Sequence, residues 1–236
     1  MPLIIPTLKS LASHFLHLIY PHNCEGCGTD TLNADSFLCA KCLHQLPETG
    51  FITADKNPLE KKFYGRIRVE HAGAGFYFAK KGVLQHLINE LKYRNNREMG
   101  HYLGKLLGYQ LLATNRFNET DALVPLPLHP TREAKRGYNQ SQMICEGIVS
   151  VWKKPIINDA ISRIIYTETQ TNKNVSNRWD NVEQAFAVTD DSKIKGKHII
   201  LIDDVITTGA SIEACGTALL KVAGLKLSVL SVGYTI

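Results

Sequence analysis

The stretch IILIDDVITTGAS, residues 199–211, constrains the fold of this chain more than any other segment. Its consecutive apolar residues predict a buried strand, and the turn of small residues that follows opens a helix from about Ser211. Two adjacent carboxylates, Asp203 and Asp204, stand at the carboxyl end of this strand. Ligands of open α/β sheets bind at that end of the strands, so this segment predicts both a parallel sheet and a site.

The turn after the strand predicts a phosphate site. Its backbone amides can converge on one phosphate at the helix N-terminus, where free donors and the positive end of the helix dipole favour negative charge. The paired aspartates can accept hydrogen bonds from ribose hydroxyls. We therefore expect a sugar phosphate to contact Asp203, Asp204, Val205, Thr207, Thr208, Gly209, Ala210 and Ser211. An ordinary turn with Asp and Thr as helix caps is the alternative.

Other nucleotide classes lack their usual motifs in this chain. The sequence has no Gly-x-x-x-x-Gly-Lys-Ser/Thr loop and no Gly-x-Gly-x-x-Gly fingerprint. A pair of acids is also a poor seat for a bare polyphosphate. The sequence therefore favours a sugar phosphate over a nucleoside triphosphate or a dinucleotide.

Length and composition are those of a globular protein. A chain of 236 residues can form one large domain, or a medium domain with a small module. No apolar run approaches the length of a membrane span. The spacing of apolar residues in 1–20 predicts an amphipathic helix, and a helix on a membrane surface is the alternative. We expect no signal peptide and a cytoplasmic location.

Cysteine spacing predicts a metal module at the front of the chain. Four of the six cysteines form two Cys-x-x-Cys pairs with eleven residues between them: Cys24, Cys27, Cys39 and Cys42. Four thiolates in such pairs can surround a structural zinc ion, and Gly28 suits the tight turn of a knuckle. Two disulfides or a redox pair are the alternatives. Cys145 and Cys215 lie in apolar helical patterns and are expected to be buried.

Basic residues are concentrated between residues 61 and 105. This stretch has ten basic residues against three acidic ones, an excess larger than the +5 of the whole chain. The basic residues are Lys61, Lys62, Arg66, Arg68, Lys80, Lys81, Lys92, Arg94, Arg97 and Lys105. They predict attraction to the phosphates of a small substrate or of a nucleic acid. A solvated surface is the alternative, because no alternation of aromatic and basic residues is evident.

The order of predicted elements indicates an α/β fold with a mainly parallel sheet flanked by helices. Strands are predicted at 71–79, 122–128, 156–165 (with a break), 198–203 and 225–233. Helices are predicted at 83–91, 99–111, 141–152, 176–185 and 211–222. The polar, basic segment 49–70 is typical of a connection between modules.

Two further stretches are rich in cations. Residues 124–141, VPLPLHPTREAKRGYNQS, follow a predicted strand and contain Arg132, Lys135 and Arg136. A basic surface turn that caps a helix is the alternative there. Residues 169–186, TQTNKNVSNRWDNVEQAF, contain Lys173 and Arg178 and are typical of a mobile loop that runs into a short helix.

Taken in order, the cysteine pairs and these three stretches resemble the ComF family of competence-associated proteins. Residues 199–211 are similar to the signature with which type I phosphoribosyltransferases bind 5-phosphoribosyl-1-pyrophosphate. The resemblance implies a zinc-ribbon module fused to a type I phosphoribosyltransferase-like domain, in a family linked to DNA uptake. It also implies a pyrophosphate-side loop at 126–136 and a flexible lid at 169–178. The expected organisation is an amphipathic helix in 1–20, the zinc-ribbon module in 21–48, a linker in 49–70 and the phosphoribosyltransferase-like domain in 71–236.

Two functions are compatible with these features. The first is transfer of phosphoribose to an unidentified nitrogenous acceptor, with magnesium bound to the sugar pyrophosphate. Its expected catalytic residues are Asp203, Asp204, Arg132, Lys135, Arg136, Lys173 and Arg178; no general base is assigned, and His129 is the nearest candidate. The second is a non-catalytic protein of the DNA-uptake machinery that binds single-stranded nucleic acid, uses the phosphate turn as an anchor or sensor, and has competence-machinery proteins as partners.

Overall fold

A computed structural model of the chain describes residues 23–30, 36–164 and 185–235. The chain forms two compact units, Met1–Leu46 and Pro47–Ile236. The helix predicted at 1–20, residues 176–184 of the helix predicted at 176–185, and the lid residues Lys173 and Arg178 lie outside the described residues. No helix of the described part is long and apolar enough to cross a membrane.

Four parallel strands form the sheet of the second unit. They are β1 (Ala72–Tyr77), β2 (Ala122–Pro125), β5 (His198–Ile206) and β6 (Lys226–Tyr234), in the spatial order β1-β6-β5-β2. Every residue of β6 except Lys226 is buried, as expected of a strand covered on both faces. Two short strands, β3 (Ile161–Arg163) and β4 (Phe186–Val188), form a separate antiparallel pair. The predicted fold class, with a mainly parallel sheet, is confirmed.

The described helices are α1 (Ala40–His44) in the first unit, and α2 (Pro58–Phe63), α3 (Val83–Tyr93), α4 (Arg97–Leu112), α5 (Pro130–Arg136), α6 (Gln140–Val151) and α7 (Ala210–Leu219) in the second. A 3-10 turn spans Asp191–Lys193. Helices α4 and α6 touch backbone to backbone, since a Cβ at Gly104 would lie 2.2 Å from the Ile144 carbonyl oxygen. This contact fixes α6, and with it the segment that joins β2 to α6.

Several element bounds differ from the prediction. Strand β5 continues three residues beyond the predicted end, to Ile206, so Asp203 and Asp204 lie inside the strand. The stretch predicted as a broken strand at 156–165 contains β3 and a single bridge from Ile156 to Leu123. Helix α5 was not predicted. It begins at Pro130, which suits the first turn of a helix, and ends before Gly137, whose φ of 79° closes it.

The segment 49–70, expected to be a linker, is packed into the second unit. Phe51, Leu59 and Phe63 belong to the core around β5 and β6. The buried Asn57 side chain caps α2 and donates to the carbonyl oxygens of three residues, including Ala72 of β1 at 2.8 Å. The helix in this segment spans only six residues, too few for the spacing of apolar residues to indicate a helix, so the polar and basic composition of the segment indicated a connection. The predicted domain boundaries stay predictions.

Candidate functional site

The acid pair lies in β5, immediately beyond the point at which the neighbouring parallel strand β2 ends. Pro125, the last residue of β2, pairs with Ile202 of β5, and the Leu126 amide donates to the Ile202 carbonyl oxygen at 2.9 Å. The segment 126–136 therefore leaves β2 immediately beside Asp203. The fold thus brings the acids and the start of the predicted pyrophosphate-side loop to one edge of the sheet.

Asp203 and Asp204 have different surroundings. Asp203 Oδ1 accepts the backbone amide of Asp204 at 2.8 Å. Burial and the negative charge of Asp204 raise the pKa of Asp203 to about 7, against the attraction of Lys92 and Arg163. Asp203 is therefore partly protonated at neutral pH, when it can both donate and accept hydrogen bonds.

Asp204 forms an ion pair with Lys92, at the C-terminal end of α3. Lys92 Nζ lies 2.9 Å from Asp204 Oδ1, and the side chains are 22% and 11% exposed. Burial opposes the charged form of Lys92, but the charge and hydrogen bond of Asp204 outweigh it and raise the pKa of Lys92. The sequence placed Lys92 only in the basic stretch. Its 112-residue separation from Asp204 left no local signal of the pair.

The turn at residues 207–211, here called the phosphate cradle, has the backbone expected of an anion site. Gly209 has a φ of 81° and precedes α7. The first backbone hydrogen bond of α7 is donated by the Glu213 amide to the Gly209 carbonyl oxygen, at 2.9 Å. Before it, the amides of Gly209, Ser211 and Ile212 donate to no acceptor among the described residues. The exposed Thr207 and Thr208 add two hydroxyls. The cradle therefore presents free donors and the positive end of a helix of ten residues.

Two cations, one in α2 and one just after it, hold the cradle from its carbonyl side. Lys62 Nζ donates to the Thr207 carbonyl oxygen at 2.5 Å, and Arg66 Nη1 donates to that of Thr208 at 3.0 Å. Arg66 also pairs with Glu213 in the first turn of α7. Gly209 lies against Phe63, because an added Cβ would be 3.1 Å from Phe63 Cε1. The sequence placed Lys62 and Arg66 in its basic stretch but did not connect them to the cradle.

The cations of residues 126–136 are carried by the short helix α5. Arg136 Nη1 donates to Gln140 Oε1 at 2.6 Å, and its guanidinium lies 5.6 Å from the centre of the Tyr93 ring. Lys135 is exposed and Arg132 is half-buried. The segment is closed by Asn139, whose Nδ2 donates to the Leu126 carbonyl oxygen at 3.0 Å. His129, the nearest candidate for a general base, caps α5, where its Nδ1 accepts the amide of Thr131.

A half-buried arginine, Arg163, is subject to charges from both this loop and the acid pair. Arg163 in β3 stacks 5.4 Å from the Phe186 ring. Burial and the nearby charge of Arg132 lower the pKa of Arg163, while Asp203 acts in the opposite direction. The charges of Arg132 and Asp203 therefore act on Arg163 in opposite directions. The sequence did not identify this residue as part of the site.

The first unit brings the four predicted metal ligands together. The Sγ atoms of Cys24, Cys27, Cys39 and Cys42 all lie within 4.8 Å of one another. The 3.7 Å between the sulfurs of Cys27 and Cys39 fits two corners of a tetrahedron with bonds of about 2.3 Å to zinc. Gly28 has the expected positive φ, 72°. These four thiols could hold a zinc ion.

The electrostatics of the quartet also fit a cation. Burial opposes ionisation of Cys24, but the amides of Cys39 and Gly26 donate to its Sγ and lower its pKa to about 6. Burial and the neighbouring thiols raise the pKa of Cys42 to about 12. The four thiols cannot all ionise without a positive charge among them, and a zinc ion would supply that charge. All four ligands are thiols, so the ion would be structural.

Magnesium does not fit the acid pair in the same way. It prefers near-octahedral oxygen ligands, whereas Asp204 Oδ1 is occupied by an ammonium group and Asp203 Oδ1 by a backbone amide. These residues do not form a protein cage for this ion.

Together, the fold and the two candidate sites define an α/β protein with a candidate ligand site at the carboxyl edge of a parallel sheet and a separate four-cysteine module. Several curated protein sequences are similar to this chain. The chain is 29% identical over 141 residues to DNA utilization protein YhgH of Escherichia coli (strain K12), which is 58% of this chain and 61% of that protein. It is 27% identical over 139 residues to Competence protein F of Haemophilus influenzae, which is 57% of this chain and 61% of that protein.

A third relative is Competence protein ComFC of Bacillus subtilis, 32% identical over 99 residues, 42% of this chain and 38% of that protein. These matches confirm the resemblance to the ComF proteins. The matched region spans less than two thirds of each of these relatives. No protein-family profile matches the chain.

Solved structures show a weaker likeness. Glutamine phosphoribosylpyrophosphate amidotransferase of B. subtilis matches with a TM-score of 0.40 and 15% identity, over 61% of this chain and 30% of that one. Adenine phosphoribosyltransferase of Leishmania tarentolae matches with a TM-score of 0.39 and 11% identity, over 80% and 94%. At these scores, the likeness carries no conclusion about the ligand.

Proposed function

We propose that the second unit is a phosphoribosyltransferase-like domain that binds 5-phosphoribosyl-1-pyrophosphate. The observation that carries the proposal is the convergence of Asp203 and Asp204, the phosphate cradle and the start of residues 126–136 at one edge of the sheet. The cradle amides suit a phosphate monoester, and the acids suit the two ribose hydroxyls beside it. Lys62 and Arg66 add positive charge behind the cradle.

The proposed reaction is transfer of the phosphoribosyl group to a nitrogenous acceptor with release of pyrophosphate. The bond from C1 of the ribose to the pyrophosphate oxygen breaks, and a bond from C1 to the acceptor nitrogen forms. The transition state resembles an oxocarbenium ion, so the protein supplies positioning and charge stabilisation and no covalent nucleophile. Asp203 and Asp204 orient the sugar, and Arg132, Lys135 and Arg136 receive the negative charge of the leaving group. Lys173 and Arg178 are proposed to join them from the lid.

Magnesium belongs in this proposal only as a companion of the ligand. Bound to the ligand, the ion would supply positive charge to the leaving group. The residues of this chain bind the sugar phosphate, orient its hydroxyls and surround the pyrophosphate with cations.

Pyrophosphate release from the activated sugar tests the proposal. The full chain is assayed against a panel of purine, pyrimidine and amine acceptors, and for hydrolysis without an acceptor. The double variant Asp203→Asn, Asp204→Asn should lose the release, while Asp191→Asn, an exposed aspartate on the 3-10 turn, should retain it. Absence of release with every acceptor and with water refutes turnover, and absence of ligand binding by calorimetry refutes the site.

A second candidate function, binding of single-stranded nucleic acid, is favoured by a contact that the sequence did not predict. The Tyr93 ring is 70% exposed and is stacked against the Arg136 guanidinium, and the adjacent Arg94 side chain is 75% exposed. An exposed ring beside arginines is what stacking of a base and neutralisation of its phosphate require. The names of the relatives, which refer to DNA utilization and competence, agree with a role of this surface in DNA uptake.

Binding of a fluorescent oligothymidylate tests this surface. Affinity should fall steeply with salt, and the double variant Tyr93→Ala, Arg94→Glu should weaken it and reduce the salt slope by about 0.7 for each phosphate that is no longer neutralised. Arg97 is a poorer target, because its Nη2 donates to the Gly137 carbonyl oxygen and supports the loop. Lys221→Glu, an exposed lysine after α7, is the control. Binding that is indifferent to salt and to the double variant removes this function.

A further inference from the structure

We propose that Lys92 is a ligand-binding residue that takes the place of a divalent cation beside Asp204, so that the sugar end of the ligand binds without magnesium. The inference rests on the proposed sugar-phosphate site and deepens it. It concerns a residue of α3, outside both the cradle and the loop at 126–136.

Lys92 points towards the acid pair and away from water. Its Nζ lies 2.9 Å from Asp204 Oδ1, and the lysine side chain is only 22% exposed. A lysine on a surface helix normally extends into water, whereas this one turns towards a buried carboxylate at the ligand edge of the sheet. The charges of Asp203 and Arg136 also act on it, in opposite directions.

The ammonium group of Lys92 has donors to spare for a ligand. An ammonium group has three donors, of which the contact with Asp204 uses one. The remaining donors can reach a sugar hydroxyl, while the other oxygen of Asp204 accepts from the same sugar. A divalent cation beside the acids would do the same work by coordinating hydroxyl oxygens, but here it would meet the charge of Lys92. The lysine therefore leaves little attraction for magnesium at the sugar end.

The two ends of the ligand should therefore differ in their need for magnesium. The pyrophosphate end still attracts magnesium through its own oxygens. The sugar end, represented by ribose 5-phosphate, should bind equally well with and without the ion.

Calorimetry with ribose 5-phosphate tests the proposal on the full chain with zinc bound. Magnesium is removed by passing the buffers over a chelating resin, and no soluble chelator is added, so that the cysteine module keeps its metal. The wild-type Kd should change less than about threefold on adding magnesium. Lys92→Met should bind about tenfold more weakly without magnesium, and magnesium should recover much of this loss.

Two further variants isolate the charge of Lys92. Lys92→Arg keeps the positive charge and should retain binding without magnesium, and Lys221→Met should behave as the wild type. Thermal unfolding of each variant shows whether it is folded. Comparing the affinities with and without magnesium identifies a role in ligand binding, because loss of a purely structural lysine would not make ligand binding depend on magnesium.

The outcomes are distinct. Loss of wild-type binding on magnesium removal overturns the role of Lys92 but leaves the sugar-phosphate site intact. Equal weakening of Lys92→Met with and without magnesium overturns it as well. Absence of ribose 5-phosphate binding under every condition refutes the proposed site itself, and this inference with it.

Discussion

Replacing Gly209 by alanine should damage the phosphate cradle in two measurable ways. The residue has a φ of 81°, and an added Cβ would lie 3.1 Å from Phe63 Cε1 in the core. An L residue in this conformation costs about 1–2 kcal/mol, of which the stiffer unfolded chain offsets about 0.4–1 kcal/mol. Displacing a fully buried Phe63 ring adds overpacking of about 1–3 kcal/mol. We expect a total loss of about 2–3 kcal/mol in the free energy of unfolding.

Gly196→Ala is the matched control. Gly196 has a φ of 71°, and an added Cβ would meet no atom within 4 Å. This variant carries the conformational strain without the contact, and should lose only about 1 kcal/mol. The difference between the two variants therefore reports the contact between the cradle and Phe63.

Urea unfolding measures the stabilities, and calorimetry with ribose 5-phosphate measures the site. In Gly209→Ala the amides of residues 208–211 shift, so affinity should fall at least about tenfold, which is about 1.4 kcal/mol. Gly196→Ala should bind as the wild type does. Equal stabilities in the two variants would refute the role of Phe63, and unchanged affinity in Gly209→Ala would refute the cradle.

Three further predictions follow from other parts of the structure. Arg116→Met should lower the free energy of unfolding, measured in urea, by about 3–5 kcal/mol, because it leaves the charge of Glu60 unpaired in a site where both side chains are only 10% exposed. The double variant Arg116→Met, Glu60→Gln should recover part of this stability, and a loss below about 1 kcal/mol in Arg116→Met would contradict the prediction. Asp203 has a pKa of about 7 when folded and about 3.9 when unfolded, so the folded state binds more protons between these values and stability should fall as pH rises from about 4 to about 7. Asp203→Asn should lack this part of the fall, and an identical pH profile in urea would show the assignment to be wrong. Metal analysis should find about one zinc per chain, and its removal should make the thiols of the quartet reactive towards a disulfide reagent while Cys145 and Cys215 stay protected; a metal-free protein with an equally unreactive quartet would exclude the site.

Local patterns in the sequence were sufficient for the framework of the site. The apolar run at 199–202 and the small residues at 207–211 specify a strand and a tight turn wherever they occur, because both depend on the backbone of adjacent residues. The two Cys-x-x-Cys pairs likewise bring their own turns, so the four thiols could be predicted as one cluster. The loop cations of 126–136 followed from their place after a predicted strand, but the helix α5 that carries them did not.

The charges that surround the ligand site depend on tertiary structure. Lys62 reaches the carbonyl of Thr207 across 145 residues, and Tyr93 and Arg136 meet although 43 residues separate them. The segment 49–70 has the composition of a linker, yet it supplies both Phe63 under the cradle and the cations behind it.

The sequence by itself determined the strand, the acid pair, the turn and the cysteine quartet, because each of them depends on residues that are close together in the chain. Only the tertiary fold decided which distant cations those groups meet. Burial then strengthened these encounters by removing water, as the pair of Lys92 with Asp204 illustrates.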